Sequence, residues 1–214
     1  MPRYPRITAP EVFYHIMNRG IEKKAIFRND KDYFRFLNLL AKYSKEFDWK
    51  IYCYCFLPNH FHLLVQTQKH PLSLIMKSLQ TAYGVYFNKK YNRVGPVFAG
   101  RFKSIICQED EYFLQVSKYI HLNPVRLGLC EDPADYPYSS YKNYIRETGD
   151  RASSIIDKRS MKRILGDNIS DKSRRMYRLF VEESEDIFDY NPEKSQLTVF
   201  GNDRFATKLN KIKP

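Results

Sequence analysis

The sequence predicts an α+β fold in which an antiparallel sheet is flanked by helices. Two observations carry this. Strand-like and helix-like segments follow one another in the order strand, helix, strand, strand, helix, strand, and the two middle strands are separated only by Pro58-Asn59. That order is the ferredoxin-like, RRM-like pattern. Roughly 145 residues suffice for one such domain with a sizeable core, and no internal repeat is present.

Each element has its own signature. Val12 to Asn18 reads as a first strand, closed by Gly20. Lys31 to Phe47 reads as an amphipathic helix with Phe34, Leu37, Leu40 and Ala41 on one side. Trp49 to Leu57 and His60 to Thr67 are two strands. Pro58 cannot take the positive φ that favoured two-residue hairpin turns need, so a longer connection is expected there. Leu72 to Lys90 is a second helix, and Phe98 to Gln108 holds a strand around Ser104 to Cys107. Glu109 to Asn123 is a third helix, with Glu109, Asp110 and Glu111 at the end where the macrodipole favours acids. Pro124 is expected to stop it. Residues 1–145 thus form one domain. Beyond it, Arg146 to Ser154 reads as a linker, and Lys158 to Leu165 and Ser170 to Glu185 read as helices. Thr198 to Phe205 reads as a short strand or a helix start, so 146–214 is a mostly helical extension without a recognisable motif.

Composition narrows the partners. Lys plus Arg number 36 against 24 Asp plus Glu, a net charge of +12 that suits a polyanion. No apolar run is long enough to span a bilayer, and the N-terminus lacks a secretory h-region, so a cytoplasmic setting is expected. Aromatic residues make up 15% of the chain, enough to offer stacking partners to unpaired bases. Cys53, Cys55, Cys107 and Cys130 contain no C-x-x-C pair, and reduced thiols are expected. Cys53 and Cys55 share a strand face with Ile51 and Leu57, as half of an apolar core. A zinc site combining these cysteines with His60 and His62 is a weaker alternative.

Two segments carry chemistry. His60 and His62 lie two residues apart in a strand and therefore project to one face, where two imidazoles can chelate one cation. Two packed histidines are the plainer reading. Downstream, Tyr112, Val116, Tyr119 and Asn123 fall on one helical stripe, with Tyr119 and Asn123 one turn apart. A tyrosine can act as a nucleophile, and an amide oxygen beside it can complete a metal site. Tyr112 is the rival nucleophile, and an aromatic stripe is also ordinary core. His121 points elsewhere on the helix. Arg101 and Lys103 flank Phe102 and face one way, as phosphate contacts or a solvated basic edge.

Taken together, Pro58-Asn59-His60-Phe61-His62-Leu63-Leu64, Gly100-Arg101-Phe102-Lys103-Ser104 and Tyr119-Ile120-His121-Leu122-Asn123-Pro124-Val125 occur in an order and at intervals that resemble the REP-associated tyrosine transposases. These are relatives of the single-strand transposases of the HUH endonuclease superfamily, and the resemblance spans roughly residues 5 to 145. It implies a metal-dependent endonuclease and transposase that cleaves single-stranded DNA at hairpin-forming repeats. Tyr119 would be the nucleophile, forming a 5′-phosphotyrosine link. His60, His62 and Asn123 would hold Mg²⁺ or Mn²⁺, and Arg101 and Lys103 would contact DNA. Monomer and homodimer are both compatible with it. Two other classes compete: a non-catalytic DNA-binding descendant, and a sheet-platform RNA-binding domain, whose RNP1 sequence Gly100-Arg101-Phe102-Lys103 matches poorly.

Overall fold

A computed structural model describes residues 12–108, 111–147, 155–156, 158–183, 190, 192 and 199–210. Strand β1 (Phe13–Arg19) leads into helix α1 (Asp30–Glu46), the hairpin β2 (Lys50–Leu57) and β3 (His60–Gln66), helix α2 (Leu72–Lys90) and strand β4 (Lys103–Cys107). These strands pair antiparallel in the spatial order β2-β3-β1-β4, the arrangement that two interlocked βαβ units produce. A fifth strand, β5 (Val199–Phe200), adds to the β4 edge in parallel, so the sheet is mixed. Of the expected Thr198 to Phe205 segment, Thr198 lies outside the described residues, and the rest yields both alternatives, with β5 followed by a helix over Asp203–Asn210.

One face of the sheet packs on α1 and α2. Phe36 sits at its centre, fully buried, with the rings of Phe27, Phe56, Phe61 and Tyr83 within 5.3 Å of its own. The buried stripe of α1 is Tyr33, Phe36, Leu39 and Leu40, while Phe34 is 53% exposed. The expected stripe through Phe34 is thus rotated. Asp32 explains part of this, because its buried carboxylate accepts from Lys90, Tyr91, Tyr86 and the Arg28 amide and pins the start of α1 against α2.

The β2–β3 connection is shorter than expected. Leu57 pairs directly with His60, leaving a two-residue link. Neither Pro58 nor Asn59 has positive φ. The link is held from outside instead: Pro58 O accepts from the Ile26 and Phe27 amides, and Asn59 O from the Gly20 amide. A β-bulge lies between Ile51 and Cys53. It puts Ile51 opposite Val65 and Cys53 opposite Leu64, so Ile51 and the two cysteines do not share a face. All four cysteines are free thiols.

The second face carries α3 (Glu111–Arg126), which packs mainly on β2 and also touches β3 and β4. Pro124 does not end this helix. It lies in its last turn, where only the Ile120 carbonyl loses an amide partner. Asn123 is therefore helical and stays in line with Tyr119. Glu109 and Asp110, expected at the start of this helix, lie outside the described residues.

The C-terminal segments close on α3. Helices α4 (Tyr141–Ile145), α5 (Lys158–Leu165) and α6 (Asp171–Glu182) follow, and α6 starts with a capping box between Ser170 and Ser173. Most of the expected linker, 148–154, lies outside the described residues. Arg174 donates to the Asn143, Tyr144 and Arg146 carbonyls at the end of α4. His121 bridges Tyr177 Oη and Ser140 Oγ, each at 2.8 Å, and Tyr177 donates on to Ser117. Helices α1 and α2 thus cover one face of the sheet and α3 covers part of the other.

His121 makes stability depend on pH. Burial lowers its pKa from 6.5 to about 3. Below its unfolded pKa the unfolded chain binds a proton that the folded chain refuses. The contribution is complete above about 6.5 and is lost as pH falls toward 3, by up to about 1.4 kcal/mol per pH unit. Denaturant titrations of wild type and His121→Gln at about pH 7 and about pH 5 should show a shallower acid loss in the variant. Equal slopes would contradict this account.

Candidate active site

β3 alternates, so Phe61 and Leu63 enter the α1/α2 core while His60 and His62 face α3. Register brings further residues to the same face: Met17 lies opposite His62, Arg19 opposite His60, His15 opposite Leu64, and Lys103 on β4 opposite Met17. Above them α3 presents Tyr119, whose ring centroid is 5.6 Å from that of His62 and 5.8 Å from that of His15. The His60 and His62 rings are 5.0 Å apart and nearly perpendicular. The histidine pair and Tyr119 therefore meet on one side of the sheet, within one chain.

Hydrogen bonds order the histidines. His15 Nε2 and His62 Nδ1 are 2.9 Å apart, and His15 Nδ1 lies 2.5 Å from Tyr190 Oη. His60 Nδ1 lies 2.6 Å from Asn59 Oδ1. The other ring nitrogen of His62, Nε2, is buried and has no hydrogen-bond partner among the described residues. Burial, with the neighbouring His15 and His60 adding to it, holds the His62 pKa well below 6.5. Burial, then the Lys103 charge, lowers that of His15 to about 3. Both rings are neutral at neutral pH, the form that ligates metals.

The histidines open into a cleft of about 470 Å³ whose wall includes Arg19, Lys23, Arg101 and Lys103. Gly100, at φ +87°, makes the turn that delivers Arg101 to this wall, and Asn18 Nδ2 anchors it through Gly100 O. Lys103 Nζ donates to Pro192 O at 2.5 Å. Arg126, in the last turn of α3, places its guanidinium carbon 5.1 Å from the Tyr119 ring centroid. Asn123 is buried and donates from Nδ2 to Tyr119 O, one turn back. Tyr112 packs edge-on against Phe200 instead. His121 faces Tyr177 and Ser140, as its helical position implies.

Sequence reasoning misses His15, Arg19, Lys23, Arg126 and Tyr190. Arg126 is within its reach, since it follows Tyr119 by seven residues, two helical turns on the same stripe. Among the described residues no three His, Cys, Asp or Glu side chains form a metal-holding cluster, which disfavours the cysteine–histidine zinc site. A cation here would rest on two imidazoles and would need amide or ligand oxygens. The orphaned, buried Nε2 of His62 fits such a site, because a neutral imidazole nitrogen without a hydrogen bond is a donor waiting for one.

A helix-borne tyrosine lies over two strand histidines beside a cationic cleft, and similarity to known proteins places the chain among the transposases. The chain belongs to the family described as "Transposase IS200 like", whose model matches residues 8–123. Within it, the chain is 30% identical over 104 residues to a candidate REP-associated tyrosine transposase of Haemophilus influenzae. That match covers 43% of this chain and 58% of the relative, so the chain spans little more than half of that protein. Among solved structures, a REP-associated tyrosine transposase bound to a REP hairpin superposes with a TM-score of 0.59 at 16% identity. It covers 70% of this chain and 93% of that one, and it supports the fold. No helix among the described residues is long and apolar enough to cross a membrane.

Proposed function

We propose that this chain cleaves single-stranded DNA at hairpin-forming repeats by transesterification at Tyr119. The observation that carries the reading is the contact between Tyr119 and His62, two motif residues from separate elements meeting beside one cationic cleft. The Tyr119 hydroxyl attacks the scissile phosphorus and the P–O3′ bond breaks. A 5′-phosphotyrosine and a free 3′-hydroxyl result, with the phenol proton balanced by protonation of the leaving oxygen. The bond energy is kept for rejoining, so no nucleotide triphosphate is consumed.

Phenol is a weak nucleophile at neutral pH and needs a cation nearby to favour its ionised form. Arg126, over the Tyr119 ring, supplies one. His60, His62 and Asn123 would hold Mg²⁺ or Mn²⁺, which supplies charge neutralisation for the scissile phosphate. Arg101 and Lys103, joined by Arg19 and Lys23, line the path of the DNA backbone. Because the histidines and Tyr119 belong to one chain, a monomer suffices for cleavage. The test is incubation with labelled single-stranded hairpin DNA and Mn²⁺, followed by a denaturing gel. A covalent protein–DNA adduct is expected, and its absence on every hairpin tried would favour a passive DNA binder.

Binding itself should be steeply salt-dependent. On single strands each neutralised phosphate contributes about −0.7 to the log–log slope of affinity against salt. Arg101→Ala should weaken hairpin binding and reduce the slope by about 0.7. Fluorescence anisotropy across a salt series reads this directly, and a slope unchanged by the substitution would remove Arg101 from the DNA path.

A further inference from the structure

The chain Tyr190–His15–His62 joins a motif histidine to two residues that lie outside the motifs. His15 lies on β1 and is fully buried, and its two ring nitrogens are both engaged, one by Tyr190 Oη and one by His62 Nδ1. Tyr190 belongs to the C-terminal extension, and its ring also packs edge-on against Tyr119 at 5.3 Å. The chain ends at His62 Nε2, which is buried and makes no hydrogen bond among the described residues.

Neutral imidazoles carry one ring proton each, so only two proton arrangements satisfy both contacts. In the first, Tyr190 O–H donates to His15 Nδ1, His15 Nε2–H donates to His62 Nδ1, and His62 keeps its proton on Nε2. That leaves a buried N–H donor unsatisfied. In the second, His62 Nδ1–H donates to His15 Nε2, and His15 Nδ1–H donates to Tyr190 Oη. His62 Nε2 then carries a lone pair. That arrangement strands the buried Tyr190 O–H, which has no other partner among the described residues, as the first strands His62 Nε2–H, and only the second turns a lone pair toward a cation.

We propose that His15 and Tyr190 are positioning residues that hold His62 in its Nδ1–H tautomer, so that its Nε2 lone pair faces a divalent cation in the cleft. The inference rests on the metal-dependent reading above and extends it from the ligands to the groups that orient them. Outer partners of this kind fix a ligating imidazole's tautomer and orientation, and their loss commonly weakens metal binding 10- to 100-fold. It also gives residues 146–214 a role: Tyr190 brings the extension to the catalytic face and ends the relay, and the neighbouring Pro192 carbonyl receives Lys103.

Two measurements test it. The first uses metal-free wild type: long-range ¹H–¹⁵N NMR correlations distinguish the two tautomers. His62 is expected with its proton on Nδ1, and a proton on Nε2 would overturn the proposal whatever the metal does. The second titrates Mn²⁺ alone into wild type, His15→Phe and Tyr190→Phe, read by electron paramagnetic resonance of free Mn²⁺. His15→Phe removes the acceptor for His62 and should weaken binding about 10- to 100-fold. Tyr190→Phe keeps the ring, removes only the last acceptor, and should cost less. Wild-type binding that persists unchanged in His15→Phe would overturn the relay and leave the metal reading standing. No Mn²⁺ binding by wild type would overturn the metal reading and the relay with it.

Discussion

Tyr119→Phe is expected to abolish covalent adduct formation and strand cleavage, a loss of at least about a thousandfold, while hairpin binding persists. The substitution removes one oxygen. The ring, which packs against His15, His62 and Tyr190, keeps its position. The rival on the same helix, Tyr112, is turned to Phe200 at the other end of α3, and the Tyr190 hydroxyl is bound to His15. Tyr112→Phe should therefore retain most activity. An inactive Tyr112→Phe beside an active Tyr119→Phe would reverse the assignment of the nucleophile while leaving the chemistry in place.

His60→Ala is expected to reduce cleavage about 10²- to 10³-fold, the usual cost of removing part of the charge stabilisation at a reacting centre. His60 is the better of the two histidines to change. It is half-buried at the start of β3, where truncation leaves the core intact. His62→Ala should be at least as damaging to cleavage but also costs stability. It opens a cavity under Tyr119 and leaves His15 Nε2 without its partner, a penalty of about 1–3 kcal/mol from the orphaned group alone. The pair of variants thus separates lost chemistry from lost folding. His60→Ala with wild-type cleavage, fold and binding would remove that residue from the site.

The parts of this arrangement that are legible in the sequence are those set by local periodicity. His60 and His62 obey the two-residue repeat of a strand, and Tyr119 and Asn123 obey the helical repeat, so spacing alone puts each pair on one face. Element order yields the sheet topology for the same reason. Where a local rule meets a tertiary override, the two part. Pro58 on its own implies a long loop, but backbone amides of Gly20, Ile26 and Phe27 hold a tight one. Pro124 on its own implies a helix stop, but a proline in the last turn costs only one carbonyl its partner. The stripe of α1 is misplaced by sequence because Phe34 and Phe36 are equally apolar, and only the sheet beneath Phe36 distinguishes them.

His15 and Tyr190 illustrate a harder limit. They are 175 residues apart, and neither lies in a motif. His15 reaches His62 only because β1 inserts beside β3, and Tyr190 reaches His15 only because the extension folds back toward the β4 edge, where β5 pairs in parallel. Periodicity carries no information about such contacts, which depend on how distant segments dock.

The central claim, that Tyr119 is the residue that becomes joined to DNA, has a direct measurement. Trypsin cuts after Lys103, Lys118 and Arg126, so Tyr112 and Tyr119 fall in different peptides with one tyrosine each: Ser104 to Lys118, and Tyr119 to Arg126. The adduct formed on single-stranded hairpin DNA with Mn²⁺ can be digested with nuclease and trypsin and its peptides weighed by mass spectrometry. The residual nucleotide is expected on the peptide from Tyr119 to Arg126. A nucleotide on the peptide from Ser104 to Lys118, or on any other peptide, would contradict the claim.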